Sequence, residues 1–443
     1  MRVSPDGKAA SLLIAAMTAA GFALTLDVFY PGIMTFDARF IYQDMATGFL
    51  GDWQSPVMTV LWSLVDPIAP GPGSLLLLTV TLYWLAFAIV ALTLARRSPW
   101  LALLLLLLAL LPPAFVFVGI IWRDVLFSVV WLLAAGLAFG VVDRSRKLAF
   151  PVQAIALGLM ALGVLLRPNT LAAAPILAAY IAWPARFRWQ RAAVLYVPAA
   201  LALFGLVQVV YYGVLGAARQ HPLHSIMVFD LGGMSHFAKE NVFPGAWTAD
   251  ESTLITDRCY NPIEWDVYWT QQPCKFVMQR LERETIFGSP ALIDTWRRAI
   301  LSHPIAYLEH RATFMWTFLA SSDTFTMWTR DLDDTSKIIF ADNPRLMALK
   351  AVNDALTPTP LFRPGTWLLL DILVCAFAWR RRDTAAGAFA LGICGSAIVY
   401  VTSFFVVGVA TDFRYAYWAV LAGLCGAVAV AQRRPCIAER AIA

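Results

Sequence analysis

Four charged residues stand at the edges of long apolar runs: Asp37 in TFDARF, Arg123 in WRDVLF, Arg167 in LLRPNT and Arg414 in TDFRYAY. Asp37 follows the first apolar run by only a few residues, which places it at a membrane surface. Partial desolvation there raises a carboxylate pKa and makes the group a better acceptor for a hydroxyl proton. A capping role for the short helix that follows is the plain alternative. The arginines have a different chemistry, because a guanidinium fork matches phosphate oxygens. Taken singly, each is a snorkelling or ion-paired residue at a helix end. Gathered on one face, the three would hold a phosphate, and a phosphate at membrane depth belongs to a lipid.

The elements that must position these residues follow from composition. Hydrophobic residues make up 60% of the 443 and charged residues 14%, where a soluble domain carries about a quarter charged residues. Lipid is the expected solvent, and the expected fold class is an all-α polytopic membrane protein with about ten spanning helices. The formal net charge is +5, but Arg and Lys gather in tight groups just beyond apolar runs. That is the positive-inside bias rather than a nucleic-acid-binding stripe.

The clusters give a topology. Arg2 and Lys8 precede the run from Ser11 to Tyr30, which reads as an uncleaved first helix with a cytoplasmic amino terminus. Runs over 75–95, 101–123, 125–142, 152–166, 171–183 and 192–215 then alternate between basic clusters (Arg96-Arg97; Arg144, Arg146 and Lys147; Arg186, Arg188 and Arg191) and the opposite face. After a long mixed segment, runs over 367–379, 385–409 and 416–431 end at Arg380–Arg382 and Arg433-Arg434. Both termini are expected in the cytoplasm of a bacterial inner membrane. The chain divides into an N-terminal transmembrane module, 1–215, with its first outer loop at 31–56; an extracytoplasmic domain, 216–363; and C-terminal helices, 364–443. The run 299–320 carries His303, Glu309, His310 and Arg311 among its aromatics and reads as an interfacial helix.

Secondary candidates on the outer side are Asp52, Asp124, His236 and Lys239. The last two would assist the chemistry or be simple surface residues. Cys259 and Cys274 lie in the outer domain, where an oxidising compartment allows a disulfide; two unpaired thiols are the alternative. Cys375, Cys394, Cys425 and Cys436 sit in or beside spans and read as small apolar fillers. Trp247, Tyr260, Trp265, Tyr268 and Trp269 would stack on sugar rings or form an interfacial belt. Gly232-Gly233 lacks P-loop spacing and reads as a turn. No Cys/His spacing suggests zinc.

The layout resembles the GT-C class of integral-membrane glycosyltransferases, which includes protein O-mannosyltransferases and the enzymes that add aminoarabinose to lipid A. The likeness is carried by PGIMTFDARFIYQ around Asp37, by GDWQSP entering an apolar segment, by WRDVLF and LLRPN, by HPIAYLEHR and by DFRY. Ala38 replaces the second acidic or hydroxyl residue that many relatives carry, and Gln54-Ser55 replaces a histidine-bearing segment; both speak against a metal at the loop. The resemblance implies a GT-C-like bundle and a polyprenyl-phosphate-linked sugar as donor. It further implies a glycan, lipid or protein hydroxyl as acceptor, Asp37 as general base, inversion at the anomeric carbon, and Arg123, Arg167 and Arg414 on the donor phosphate. No cofactor is required; a divalent metal is compatible with the class but unsupported by the residues. A transporter or flippase of a lipid-linked sugar is the competing expectation, and a membrane acyltransferase a third.

Overall fold

The computed structural model describes residues 5–320 and 343–432; Arg2, Arg433-Arg434 and Cys436 lie outside the described residues. The described chain is helical. The first part comprises α1 (Pro5–Phe29), α2 (Phe36–Thr47), α3 (Pro56–Val65), α4 (Pro72–Ala95), α5 (Pro99–Leu108), α6 (Pro112–Val118), α7 (Arg123–Gly140), α8 (Arg146–Leu166), α9 (Ala174–Ala182) and α10 (Trp189–Gln208). A middle part holds α11 (Leu223–Ala238), α12 (Ala249–Asp257), α13 (Phe276–Arg283), α14 (Pro290–Ser302), α15 (Pro304–Ala320) and α16 (Pro344–Leu356). The last part is α17 (Pro364–Trp379), α18 (Ala385–Val407) and α19 (Tyr417–Ala431). Proline supplies much of the punctuation. It opens α3 to α6 and α14 to α17, where its missing N–H belongs to a first turn that needs none.

Among the described residues, seven helices are long and apolar enough to cross a membrane: α1, α4, α7, α8, α10 with its π-helical extension Val209–Val214, α18, and the 3₁₀ turn Phe413–Ala416 continued by α19. These are the helices of a multi-pass membrane protein. Ten such spans are expected from the apolar runs, and the three that differ are interrupted or short for identifiable reasons. In the third run, α5 and α6 meet at a 60° bend. Pro112 and Pro113 follow Leu111, which a proline pushes into extended backbone (φ −63°, ψ 132°); counted together, the pair makes an eighth span. The sixth run is divided into a 3₁₀ turn, Pro168–Ala172, and the nine-residue α9. In the eighth, α17 has 16 residues because Pro364 fixes its start.

The core is built round α7 and α19, the most enclosed of the spans, while α8 and α10 turn apolar faces outward. Val194, Val197, Leu201 and Phe204 of α10 are exposed, which suits lipid and no other solvent. Buried aromatics join the two halves. Trp131 of α7 meets Trp418 of α19 edge to face at 5.5 Å, and its indole N–H donates to the Met160 carbonyl at 3.0 Å. Gly163 permits that approach, since a Cβ there would lie 2.2 Å from the Trp131 Nε1. Tyr417 donates to the Ala114 carbonyl at 2.7 Å.

Three isolated β-bridges tie distant segments together at one end of the bundle: Ile33 with Ile120 and Gly51 with Ala218, both parallel, and Glu264 with Ala410, antiparallel. The first holds the turn after α1, where Gly32 has φ +115°, against the entry to α7. The second closes the α2–α3 loop onto the segment after α10. The third fastens the middle part to the α18–α19 connection, with Trp265 N–H donating to Val409 O at 2.9 Å and Thr411 N–H to Ile263 O at 2.9 Å.

The middle part has its own core. Asp230 of α11 forms a fully buried ion pair with Arg311 of α15 at 2.6 Å, accepts from the Trp296 indole at 2.7 Å and faces His310 Nε2 at 3.3 Å. Arg311 also donates to the Gly408 carbonyl at 2.7 Å, so this charge cluster reaches the same α18–α19 connection. The run containing α15 reads in the sequence as interfacial rather than spanning; within the described residues α15 has 17 residues, with His310 and Arg311 among its buried ones. Cys259 and Cys274 form a disulfide across 15 residues of sequence, with Cα atoms 5.4 Å apart. Reducing it, or replacing Cys259 by Ser, is expected to lower the stability of this part by about 3 kcal/mol. The measurement is proteolytic nicking of 216–320 with and without reductant under native conditions; an unchanged nicking rate would count against a structural contribution.

Candidate active site

Asp37 lies in the first turn of α2, whose N-cap is Thr35. The capping alternative therefore gives way: no side chain caps this terminus, and the Asp37 carboxylate is directed elsewhere. Its Oδ2 accepts from Arg414 at 2.6 Å, and its Oδ1 accepts from the Gln54 amide at 3.1 Å. The side chain keeps 30% of its surface accessible. Arg414 is nearly buried and shared, pairing also with Asp412 at 2.9 Å, while its guanidinium lies over the Trp122 ring at 4.6 Å from the centroid. Its Nε is buried without a hydrogen-bond partner among the described residues.

Arg123 and Arg167 complete the group. Arg123, at the start of α7, donates to the Trp53 carbonyl at 3.2 Å and has no carboxylate in ion-pair contact among the described residues. Arg167, just past α8, is buried against Asp124 at 3.0 Å and lies 5.1 Å from the Tyr415 ring centroid. Asp124 is 2% exposed and sits in the first turn of α7, a position the helix dipole favours. The four residues that the sequence singles out, scattered from 37 to 414, thus share one end of the bundle. They arrive from α2, α7, the α8–α9 connection and the turn before α19.

The protonation of Asp37 differs from the expectation. Burial pushes its carboxyl up, as reasoned from the sequence, but Arg414 foremost, then Arg123 and Arg167, outweigh burial and hold it below its ordinary value. A desolvated carboxylate becomes more basic only when no cation compensates it. In the sequence the three arginines read as lying on the same face as Asp37 but as partners of a phosphate, which leaves out their pull on the carboxylate itself. A second carboxyl behaves as Asp37 was expected to. Asp266, on the 3₁₀ turn Trp265–Tyr268, is pushed up to about 6 by burial and then by Glu264, Asp37 and Asp412.

The secondary candidates divide. Asp52 is tied up structurally, accepting from the Tyr212 hydroxyl at 2.7 Å and the Gln220 backbone N–H at 2.6 Å. Asp124 serves Arg167. His236 stacks on Tyr260 at 4.7 Å, with its Nδ1 2.8 Å from the Thr256 carbonyl, and Lys239 is exposed beside Asp257 at 3.7 Å. Neither makes a contact with the arginine group. Gly232-Gly233 lies within α11 rather than in a turn; a Cβ on either would strike Tyr268 or His310 at about 2 Å. No group of three or more His, Cys, Asp or Glu suited to a metal occurs among the described residues.

Gln54, Trp122, Asp412 and Asp266 join the site without having been named for it. Gln54 lies within GDWQSP and Asp412 within TDFRYAY, and the signal is present in both: a polar residue beside a charged one at a membrane boundary needs a partner. Asp266 has no such signal, because its turn is brought here by tertiary contacts, the Glu264–Ala410 bridge and the Trp53–Trp265 ring pair. Compared with known proteins, the chain matches no family model, no curated protein and no solved structure, so its own geometry must carry the functional reading.

Proposed function

We propose that this chain is a membrane glycosyltransferase that moves a sugar from a polyprenyl-phosphate donor to an acceptor hydroxyl at the outer face of a bacterial inner membrane. In this reading both termini are cytoplasmic, the ten apolar runs all cross or enter the bilayer, and 216–363 lies outside. The observation that carries it is the convergence of Asp37 with Arg123, Arg167 and Arg414 at the apolar boundary. A carboxylate beside three guanidinium groups fits a reaction in which a hydroxyl loses a proton while negative charge grows on a phosphate.

The roles follow from the contacts. Asp37 accepts the acceptor's hydroxyl proton as that oxygen forms a bond to the anomeric carbon, and the bond from that carbon to the phosphate oxygen breaks with inversion. Because the arginines hold Asp37 ionised, it is ready at neutral pH, at some cost in basicity. The phosphate takes the leaving electron pair and needs cations rather than an acid. Arg123 is the best placed of the three, since no carboxylate claims it at contact distance. The unpaired Nε of Arg414 offers a second donor. Arg167 is committed to Asp124 and acts by its charge.

Three outcomes are expected. Asp37→Asn lowers transfer roughly 10²–10⁴-fold with donor binding retained, read from labelled sugar incorporated by membranes; wild-type turnover would end the catalytic assignment. Arg123→Ala weakens donor affinity roughly ten- to a hundredfold, measured by titration with a polyprenyl-phosphate sugar, whereas unchanged affinity would return Arg123 to a structural role. Arg167→Ala is the poorer test, because it leaves Asp124 buried and unpaired at about 3–5 kcal/mol. A general base works above its pKa, and that of Asp37 lies below the ordinary carboxylate value. Hence kcat stays level as pH falls from 7 to about 5; a kcat limb near 6 would place the base elsewhere.

A further inference from the structure

The sequence leaves the acceptor open, and five aromatics of the middle part are candidates for a sugar platform. The structure disposes of three. The Trp247 indole donates to Pro244 O at 3.1 Å and its ring is covered by Arg280 at 4.3 Å, Tyr260 stacks on His236, and Tyr268 is fully buried. Trp265 and Trp269 remain, and a ring from another part of the chain joins them. Trp53, on the α2–α3 loop, lies 5.8 Å from Trp265 and 5.4 Å from Trp269, which are 5.6 Å from each other. Trp265 is buried at the base, Trp53 is half-buried, and Trp269 is exposed at 41%.

This cluster is continuous with the site. Gln54, the next residue after Trp53, holds Asp37 at 3.1 Å, and the Trp53 carbonyl accepts from Arg123. On the other side Asp266 lies between the two outer tryptophans in sequence, and its backbone carbonyl accepts from the Trp269 and Thr270 N–H groups. Its side chain has no hydrogen bond recorded to a described residue, and it sits within electrostatic reach of Glu264, Asp37, Asp412 and Arg414. Glu264 is engaged by the Gln271 amide at 2.6 Å. The ligand that offers flat C–H faces to indole rings and hydroxyl donors to carboxylates at the same time is a carbohydrate.

Resting on the transferase reading, we propose that Trp53, Trp265 and Trp269 with Asp266 form the acceptor subsite, and that the acceptor is a glycan whose pyranose ring stacks on the exposed Trp269, which Trp53 buttresses edge to face at 73°, while a hydroxyl donates to Asp266. The neighbouring hydroxyl of that ring is the one delivered to Asp37. Asp266 is a binding residue here, not the base.

The test uses the intact protein in nanodiscs. Fluorescently tagged neutral pentasaccharides and a tagged Ser/Thr-containing peptide of equal net charge are titrated against wild type, Trp269→Ala, Trp269→Phe and Asp266→Asn. The expected result is saccharide binding that falls about tenfold in Trp269→Ala and is largely kept in Trp269→Phe. Saccharide affinity of wild type should weaken as pH drops through about 6, and this dependence should vanish in Asp266→Asn. Peptide binding without saccharide binding, or a Trp269→Ala variant with wild-type saccharide affinity, overturns the proposal. Undecaprenyl phosphate is titrated in parallel and should bind Trp269→Ala as it binds wild type. If it fails to bind wild type while saccharides bind, the transferase reading falls and the sugar subsite stands; if it binds and saccharides do not, only the subsite falls.

Discussion

Asp37 and Arg414 are 377 positions apart in the chain and 2.6 Å apart in space. Holding that pair at the apolar boundary is the constraint that most of the surrounding structure serves. A carboxylate there without a cation would take up a proton, and a guanidinium there without an anion would pull toward water. Each charge keeps the other in place, and the arrangement leaves part of the carboxylate surface accessible and one guanidinium N–H unused. Such a pair is poor value as glue, since desolvation consumes much of the Coulombic gain. Its persistence is better understood through what the two groups do together.

The rest of the molecule supplies the rigidity that the pair lacks. Trp122 covers the Arg414 guanidinium and is itself fixed through its indole N–H to the Thr35 hydroxyl at 2.7 Å. Phe413 packs on Phe117 and Phe362 at 5.4 and 5.3 Å, so the turn before α19 is clamped on both sides. Farther off, Arg311 binds the Gly408 carbonyl and is anchored by Asp230. That buried charge couples the packing of α11 and α15 to the strand-like segment that ends at Arg414. Burial holds His310 below the usual imidazole value in spite of the pull of Asp230.

Much of this was legible before the structure. Apolar runs and basic clusters gave the helical class and the order of the helices, because lipid permits few alternatives. The short motifs WRDVLF, LLRPNT and DFRY marked the charges that converge, since an arginine beside an apolar run calls for a partner. What was not legible depended on proline and on pairing. The bend between α5 and α6 comes from Pro112 and Pro113 inside a run that hydropathy alone treats as continuous. The depressed titration of Asp37 depends on how closely Arg414 approaches it, 2.6 Å, a distance that no motif gives. The turn that carries Asp266 meets the Trp53 loop through ring contacts and single-residue backbone bridges, which leave no periodic trace in a sequence.

Those bridges also determine what kind of object the protein is. Residues 216–363 look, by position, like an insert that could be excised or exchanged between relatives. Yet Gly51–Ala218 and Glu264–Ala410 sew the insert to the first loop and to the last turn, the two places that supply Asp37 and Arg414. Any replacement for it would have to reproduce these backbone seams or lose the contacts that reach the segments carrying Asp37 and Arg414. The middle part is therefore no detachable module: its seams to the rest of the chain run through the two segments that carry Asp37 and Arg414.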